Sequence, residues 1–395
     1  MPAPVVYLDN HATTRVDPRV VEAMLPYFTE IYGNAGSIGH AYGDEAREAV
    51  TRARESIAQA IGAQPREIVF TSGATESNNL ALRGVADRAR PPRNRFISVK
   101  TEHKSILDPL ERLSRRGFTV SLLDVTGGDQ PTAGLLDPAW VAEALTDETL
   151  LVSVMLANNE IGVIQPLREI AEVCRARGVL VHCDATQAVG KLPVDVASLG
   201  VDLLSFSGHK IYGPKGVGAL YVRRSGTPVR LQPLLDGGGQ EFGIRSGTLN
   251  VPGIVGLARA VELCVTEQAA ESVRLAELRN RLYSKLCSAI DGVRLNGPAL
   301  DLPGSRLPGN LNCSFDRVDG EALLMAVGKI AVSSGSACTS ANPEPSHVLR
   351  ALKLGEDRTR ASLRFGLGRF NTPEDIDFAV GAVAEAVEKL RRLGS

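Results

Sequence analysis

The 395-residue sequence lacks any apolar run that is long enough to span a membrane. Its first ten residues, MPAPVVYLDN, also lack the basic start and continuous apolar stretch of a secretory signal or transit peptide. Neither positive nor negative residues predominate, because 44 Lys and Arg balance 45 Asp and Glu and give a formal net charge of −1. We therefore expect a cytoplasmic protein that does not bind nucleic acid directly and does not bind membranes.

Cysteine pairs of the kind that bind zinc or form disulfide frameworks are also missing. The six cysteines form no CxxC pair, so we expect reduced thiols and no metal site. Cys338 lies in the stretch SSGSACTSANPEPSHV, which is rich in small residues. The other five lie among apolar or helical neighbours and are predicted to be small core residues: Cys174, Cys183, Cys264, Cys287 and Cys313.

The sequence contains short apolar runs that alternate with amphipathic helical segments, without internal repeats or low-complexity stretches. A hydrophobic content of 44% with 23% charged residues is typical of a globular protein. The alternation predicts an α/β fold with a mostly parallel sheet covered by helices. The runs predicted as buried strands are REIVFTS, NRFISVK, LLVSVMLA, GVLVHCD and VDLLSFS.

The chain is too long for one ordinary compact core, which predicts two domains. Its pattern changes after about Pro252, where a long helical segment begins and is followed by mixed strand and helix. We predict a large domain over residues 16–260. A smaller α+β domain would combine residues 1–15 with residues 261–395 and would carry Cys338.

Two predicted strands lead to residues that suit one particular cofactor. Asp184 ends VLVHCD, and Lys210 follows LLSFS. Ligands of open α/β sheets collect at the carboxyl ends of strands, so both side chains are expected in one crevice. A lysine can hold the aldehyde of pyridoxal 5′-phosphate (PLP), and a carboxylate can keep its ring nitrogen protonated. From these residues alone, a structural Asp–Lys ion pair explains the pattern equally well.

The segment FTSGATESNN predicts an anion site. A strand ends at Phe70 and a helix begins near Thr75, where backbone N–H groups and the helix dipole favour a phosphate. Ser207 and His209, which lie just before Lys210, offer further donors. An ordinary helix cap would use the same residue types.

Together these segments resemble the cysteine desulfurases of the NifS/IscS type, which are class V aminotransferases and fold-type I PLP enzymes. The resemblance spans nearly the whole chain, and its segments occur in the family's order. They are YLDNHATTRVDPRV, FTSGATESNNLA, TEHKSILDP, NNEIGVIQP, HCDATQAVGK, SFSGHKIYGPKGVGALYVRR, GGGQEFGIRSGTLN, SSGSACTSANPEPSHVLRAL and LRFGLGRF.

The resemblance implies PLP as the cofactor and a seven-stranded sheet in the large domain. It implies that Lys210 holds PLP covalently and moves protons, and that His103 of TEHK stacks on its ring and acts in acid–base steps. Asp184 would pair with the pyridine nitrogen, and Gln187 would reach the phenolic oxygen. The remaining PLP-binding positions that it implies are Ala74, Thr75, Asn159, Ser207, His209 and Thr248.

The substrate residues are also implied by the resemblance. Arg364 would bind the carboxylate of L-cysteine, for which a planar guanidinium fork is well suited. Asn159 and Asn34 would lie beside the substrate, although Ala35 and Gly36 follow Asn34 where the family commonly has proline and serine.

Thr248 carries an implication about oligomeric state. In the family this position reaches the phosphate of the neighbouring subunit's cofactor, so the resemblance implies a homodimer. The residue alone is equally typical of a turn threonine after glycine.

Cys338 determines the reaction that the resemblance implies. Its small neighbours are typical of a mobile loop, whose thiol can enter a site and leave it again. Cys338 would take sulfur from L-cysteine as a persulfide, with release of L-alanine. The sulfur would then pass to an iron–sulfur scaffold, to tRNA thiolation or to another acceptor, and Cys338 is a candidate ligand of a cluster shared with a scaffold.

Three other functions use the same residues. A selenocysteine lyase would share the fold and most cofactor positions, and an ordinary PLP aminotransferase would leave Cys338 without a role. A non-catalytic scaffold for partners is disfavoured because every residue that the chemistry needs is present. Nucleotide binding at the GGG run of residues 237–239 is disfavoured too, because no strand–GxGxxG–helix arrangement surrounds it.

Overall fold

The computed structural model describes residues 5–334 and 345–393. The strands in this part of the chain are β1 (Val6–Tyr7), β2 (Ile68–Thr71), β3 (Arg95–Val99), β4 (Thr119–Leu123), β5 (Thr149–Ser153), β6 (Leu180–Asp184), β7 (Leu203–Ser207), β8 (Gly218–Val222), β9 (Val293–Leu295), β10 (Asn310–Phe315), β11 (Ile330–Ala331) and β12 (Ser362–Gly366).

The α-helices of the described residues are α1 (Pro18–Met24), α2 (Pro26–Thr29), α3 (Ala41–Ala60), α4 (Ala74–Ala86), α5 (Lys104–Arg115), α6 (Pro138–Ala144), α7 (Leu167–Ala176), α8 (Val196–Leu199), α9 (Val251–Ala289), α10 (Gly320–Ala326), α11 (His347–Ala351), α12 (Glu356–Arg360) and α13 (Pro373–Leu393). None of them is both long enough and apolar enough to cross a bilayer. No group of three or more His, Cys, Asp or Glu side chains is placed to hold a metal within the same residues.

Seven strands form one sheet in the order β2-β8-β7-β6-β5-β3-β4. The pairs β7–β6, β6–β5, β5–β3 and β3–β4 are parallel, whereas β8 runs antiparallel to both of its neighbours. The prediction of an α/β fold with a mostly parallel seven-stranded sheet is therefore confirmed. All five predicted strands are present as β2, β3, β5, β6 and β7, and β4 and β8 are additional.

The central strands β5 and β7 are buried along their whole length because helices cover both faces of the sheet. On one face, α5 presents Ile106, Leu110 and Leu113, whose spacing places them on one side of a helix. This covering leaves the ends of the strands as the place where polar side chains gather.

A second, antiparallel sheet has the order β12-β10-β9. Its core contains Leu8, Leu311, Phe365, Ile376 and Val383, all of which are buried. Helix α13 packs on α9 beside this sheet. These buried residues form a hydrophobic core that is separate from the core of the large sheet.

The 39-residue helix α9 belongs to both cores. Leu257 and Val261 pack in the core of the large sheet, and Leu278 and Leu282 pack in the core of the small sheet. The helix passes from one to the other without a break, so the limits 16–260 and 261–395 stay a prediction.

The prediction that five cysteines are core residues is wrong for one of them. Cys287 is exposed, because Leu286 and Ile290 occupy the buried side of that turn of α9. The other four, Cys174, Cys183, Cys264 and Cys313, are buried as expected.

Candidate active site

A cavity of 630 Å³ lies at the carboxyl ends of β6 and β7. This is the position where open α/β sheets bind ligands, and the volume suits a small organic cofactor. The predicted site residues that line it are Ala74, Thr75, His103, Asn159, Asp184, Gln187, Ser207, His209, Lys210 and Arg364. Cys338 lies outside the described residues.

Asp184 ends β6 and is buried at the cavity wall. Its Oδ2 accepts a hydrogen bond of 2.7 Å from Asn78 Nδ2, and its Oδ1 accepts one of 2.9 Å from the backbone N–H of Thr186. Asn78 lies on α4 and also donates to Ser105 Oγ at 2.9 Å. These two donors fix the orientation of the carboxylate. Sequence reasoning missed Asn78, although it lies inside the quoted segment FTSGATESNN.

Lys210 closes a short 3₁₀ turn that follows β7. Its Nζ donates to the backbone carbonyls of His11, at 2.7 Å, and of Ala12, at 2.6 Å. The lysine therefore reaches from the sheet to the N-terminal segment of the chain. Asp184 and Lys210 line one cavity, as the strand-end argument predicts.

The first turn of α4 forms a cradle of small residues. Gly73 precedes this turn with φ 148° and ψ 177°, a conformation that residues with a Cβ rarely adopt. A Cβ at Gly73 would lie 3.5 Å from Ser207 Oγ, on the side of the cradle. Since glycine has no side chain to cap the helix, the first N–H groups of α4 remain a place for an anion.

His209 lies beside the same cradle. Its Nδ1 is 3.2 Å from Thr13 Oγ1. Burial, together with the positive charges of Lys210 and Lys215, lowers the pKa of His209 to about 4. The imidazole is therefore neutral near pH 7, and it offers the cavity a hydrogen-bonding group rather than a positive charge.

His103 caps the N-terminus of α5. Its Nδ1 accepts from the backbone N–H of Ser105 at 3.1 Å and lies 2.8 Å from Ser105 Oγ. Burial lowers the pKa of His103, while the negative charge of Asp184 acts in the opposite direction. Because Nδ1 accepts from the backbone, the neutral ring carries its proton on Nε2.

Arg364 comes from β12 of the small sheet and is only 1% exposed. Its Nη2 donates to Asp9 Oδ1 at 2.8 Å, and its Nη1 donates to the carbonyl of Asn159 at 3.3 Å. Among the described residues, its Nε has no hydrogen-bond partner. A buried guanidinium with a donor to spare at a cavity wall is suited to bind a carboxylate.

Glu102 is a buried acid in the cavity wall that sequence reasoning missed. Its Oε1 accepts from the backbone N–H of Met155 at 2.6 Å, and its Oε2 has no partner in the described part of the chain. Burial raises the pKa of Glu102 well above its usual range, and the charge of Asp184 raises it further. The protonated form is thereby favoured. The residue precedes His103 in the quoted segment TEHK.

Gln187 connects the cavity to residues behind it. Its Nε2 donates to the carbonyl of His11 at 2.9 Å, and its Oε1 accepts from Lys191 Nζ at 2.6 Å. The Nδ1 of His11 is 3.2 Å from the same Oε1. Sequence reasoning missed His11 and Lys191, although both lie in quoted segments.

Asn34 and Thr248 are the two predicted site residues of the described chain that do not line the cavity. Asn34 is exposed in the loop before α3, and its Oδ1 accepts from the N–H of Gly36 at 2.9 Å. Thr248 is exposed in the loop before α9. This loop is attached to the start of α4 by the ion pair between Arg245 and Glu76, with Nε–Oε1 at 2.8 Å.

The segment that follows the undescribed residues 335–344 returns to the cavity. Ser346 and His347 line it. Ser346 Oγ donates to the buried carboxyl of Glu160, and His347 Nε2 lies 2.8 Å from the carbonyl of Glu102.

The residues of the cavity fit PLP. An anion cradle at the start of α4, a carboxylate on Asp184 and an amine on Lys210 match the phosphate, the ring nitrogen and the aldehyde of this cofactor. Buried polar atoms at the site also lack partners within the described residues, among them Asn78 Oδ1 and Thr186 Oγ1. Buried polar groups normally have partners, so these atoms indicate a site for a polar ligand.

Comparison with known proteins agrees with this fit. The aminotransferase class-V family matches residues 6–378. A cysteine desulfurase IscS from Anaeromyxobacter dehalogenans (strain 2CP-C) is 55% identical over 388 residues, which are 98% of this chain and 94% of that protein. Both groups are generally PLP-dependent.

Two solved structures are similar along most of the chain. A NifS-like protein superimposes with a TM-score of 0.89 at 38% identity and covers 98% of this chain and 100% of its own. The structure of SspA in complex with cysteine superimposes with a TM-score of 0.80 at 35% identity, over 93% of this chain and 100% of its own. The chain belongs to the class V aminotransferase family and, within it, to the cysteine desulfurases of the NifS/IscS type.

Proposed function

We propose that this protein is a PLP-dependent cysteine desulfurase that converts L-cysteine to L-alanine and transfers the sulfur to Cys338. One observation carries the proposal: Lys210, Asp184 and Arg364, from three separate parts of the chain, line the same cavity. Together they provide an amine for the cofactor aldehyde, a carboxylate for its ring nitrogen and a guanidinium for the carboxylate of an amino acid.

The cavity residues divide the binding of PLP among them. Lys210 would hold its aldehyde, and Asp184, oriented by the hydrogen bond from Asn78, would hold its ring nitrogen. His103 would stack on the ring, and Gln187 would reach the phenolic oxygen. The phosphate would lie in the cradle of Ala74, Thr75, Ser207 and His209.

Other residues of the cavity would orient the substrate. Arg364 would bind the carboxylate of L-cysteine, with Asn159 beside it. Asn34 does not line the cavity of its own chain, so its place beside the substrate stays a prediction. Bound PLP would withdraw electrons from the substrate α-carbon, which weakens first its C–H bond and then the bond between the β-carbon and sulfur. The amine of Lys210 would carry the proton between substrate carbons. The Nε2–H of His103 would serve as a second proton donor.

Cys338 receives the sulfur in this proposal. Its thiolate forms a bond to the substrate sulfur as the bond from that sulfur to the β-carbon breaks, and the carbon takes a proton. L-cysteine and one enzyme thiol thus give L-alanine and one enzyme persulfide, with no other oxidant or reductant. An iron–sulfur scaffold, a tRNA thiolation system or another acceptor would then take the outer sulfur. A cluster shared between Cys338 and a scaffold is a further use of the same thiol.

The protein would act as a homodimer in the cytoplasm. Thr248 is exposed and lies apart from the cavity of its own chain, which is consistent with a role in the cofactor site of a second subunit. Large apolar side chains are also exposed over α2 and the segments around it, at Leu25, Phe28, Tyr32, Ile38 and Tyr42. Surfaces of this kind are typical of protein interfaces.

The proposal is tested by incubating the purified protein with L-cysteine and a reductant while alanine and sulfide are measured together. We expect equal amounts of both products. Cys338→Ala should abolish turnover, whereas Cys287→Ala, which removes an exposed thiol on α9, should leave it unchanged. Lys210→Ala should abolish both turnover and the visible absorbance of bound PLP.

Other results would favour the other functions. Unchanged turnover in Cys338→Ala would exclude the persulfide route and favour an ordinary aminotransferase. Turnover with selenocysteine and almost none with cysteine would identify a selenocysteine lyase. A protein that shows no visible band after PLP is added would contradict all of these activities.

A further inference from the structure

We propose that Lys191 is a positioning residue, which fixes the side-chain amide of Gln187 so that its nitrogen faces the phenolic oxygen of bound PLP. This inference rests on the proposed function and deepens it. Lys191 acts through Gln187 and does not itself touch the cofactor.

Lys191 lies behind the wall of the cavity rather than in it. Gln187 lines the 630 Å³ cavity, whereas Lys191 lines a separate small cavity of 40 Å³. His11 lines both. Lys191 therefore contacts Gln187 from the side that is turned away from the cofactor site.

The hydrogen bonds around Gln187 allow only one orientation of its amide. A lysine ammonium only donates, so Lys191 Nζ at 2.6 Å requires an acceptor, which is Gln187 Oε1. The carbonyl of His11 only accepts, so it requires the amide nitrogen, Nε2, at 2.9 Å. Rotating the amide by 180° would place donor against donor and acceptor against acceptor, and both hydrogen bonds would be lost.

His11 also favours this orientation of the Gln187 side-chain amide. Burial lowers the pKa of His11 well below its usual range, and the positive charges of Lys191, Arg364 and Lys210 act in the same direction. The ring is therefore neutral. Its Nδ1, at 3.2 Å from Gln187 Oε1, makes a hydrogen bond only in the tautomer that carries the proton there.

The fixed orientation leaves one N–H of Gln187 available. The amide nitrogen has two protons, and the carbonyl of His11 takes one of them. The second proton is then available to the phenolic oxygen of PLP. A donor at this place stabilises the ionised form of that oxygen, whereas an amide oxygen would repel it.

The charged form of Lys191 is electrostatically disfavoured at this position. Burial lowers its pKa to about 7, and the positive charges of Lys210 and Arg364 lower it too, while Cys264 raises it. If Lys191 served only to fill space, an apolar side chain could do so without the cost of burying an amine. Arg369, Glu271 and Tyr212 are the other titratable groups that line the small cavity with Lys191, Cys264 and His11.

The test is a double-mutant cycle on the PLP-loaded protein, with the pH midpoint of the visible absorbance band as the readout. Lys191→Met keeps the length of the side chain and removes the donor. We expect it to raise the midpoint by about one pH unit, which is the size of one lost hydrogen bond. In a protein that already carries Gln187→Ala, Lys191→Met should shift the midpoint by less than about a third of a pH unit.

Two further variants control this experiment. Lys191→Arg keeps a donor and should retain the midpoint of the unmodified protein. It also keeps the inference testable if Lys191→Met does not fold, because an arginine variant that shifts the midpoint by a full unit would contradict the inference. Gln268→Ala changes another polar residue that lines the small cavity, and it should have no effect.

Equal shifts of Lys191→Met in the two backgrounds would overturn the inference, because Lys191 would then act by its charge alone. No shift in either background would overturn it as well. Both results differ from a failure of the proposed function, in which the unmodified protein would show no visible band at all.

Discussion

Arg364 is a single residue whose surroundings predict a specific kinetic defect. It is buried and shares one arm of its fork with Asp9. Arg364→Lys replaces a planar two-point donor by a single charged point, which cannot hold a carboxylate in the same geometry. We expect the KM for L-cysteine to rise by about 10- to 100-fold, which corresponds to the loss of one or two charged hydrogen bonds.

Steady-state kinetics with L-cysteine measure this effect. Arg360→Lys is the matched control, because Arg360 pairs with Glu356 on the exposed side of α12. An unchanged KM in Arg364→Lys would show that another residue binds the substrate carboxylate.

Glu102 predicts how stability depends on pH. Its pKa is raised in the folded protein, so the folded state holds a proton that the unfolded state releases above about pH 4.3. This contribution to the free energy of unfolding is complete below that pH and decreases as the pH rises towards the folded pKa. Glutamine does not ionise, so Glu102→Gln removes this decrease, and the stability of the variant relative to the original protein should increase from pH 5 to pH 8.

Thermal unfolding of both proteins across that range measures the difference. Glu111→Gln is the control, because the carboxylate of Glu111 is exposed on α5. A difference between Glu102→Gln and the original protein that stays constant from pH 5 to pH 8 would contradict the raised pKa.

The residues with distinctive chemistry could be predicted from the sequence, whereas the residues that surround and orient them could not. Lys210 and Asp184 could be predicted because strand ends are functional positions in α/β sheets. Glu102 and Lys191 could not, because their environment depends on residues that are distant in sequence. Lys191, for example, contacts Gln187 within its own turn, but its charge is influenced by Arg364.

At the level of elements, the turn between β2 and α4 depends on the conformation of Gly73. A Cβ at this φ of 148° costs about 1–3 kcal/mol and would point towards Ser207 in the anion cradle. We expect Gly73→Ala to weaken PLP binding by at least about 10-fold. Equilibrium titration of the visible band with PLP gives the dissociation constant.

Gly117→Ala is the matched control for this change. Gly117 also has a positive φ, of 95°, but a Cβ there would meet nothing within 4 Å. The Gly117→Ala variant should have a lower free energy of unfolding than the original protein but the same affinity for PLP. Equal affinities of the Gly73 variant and the original protein would show that the phosphate lies elsewhere.

The sequence predicted elements with a strong local pattern and missed those without one. β5 and β6 are predicted as buried strands because each begins with or contains consecutive large apolar residues, at 150–152 in β5 and at 180–181 in β6. β8 was not predicted as a strand, because GALYV begins with the two small residues Gly218 and Ala219, and its antiparallel direction is set by its pairing with β7 and β2. The solvent exposure of Cys287 depends on which side of α9 packs, and its nearest neighbours in sequence do not specify that side.

At the level of the whole molecule, the exposed apolar side chains around α2 predict the assembly. Phe28 is 58% exposed in the single chain. Phe28→Asp would place a charge in the proposed interface, so we expect a dimer to become a monomer and to retain less PLP. Light scattering coupled to size-exclusion chromatography measures the mass.

Met325→Asp is the control for the assembly. Met325 is 83% exposed on α10, in the small sheet's part of the molecule. Its replacement should leave the mass unchanged. A Phe28→Asp protein that remains a dimer would place the interface on another surface.

The N-terminal segment, residues 6–14, joins parts of the molecule that are far apart in sequence. β1 pairs with β11, Asp9 contacts Arg364 across 355 positions, and the carbonyl of His11 accepts from Lys210. During translation this segment emerges long before its partner strands. The cofactor pocket therefore reaches its final form only after residue 364 has been synthesised, and a ribosome that stalls before that residue holds a chain that lacks the arginine for its substrate.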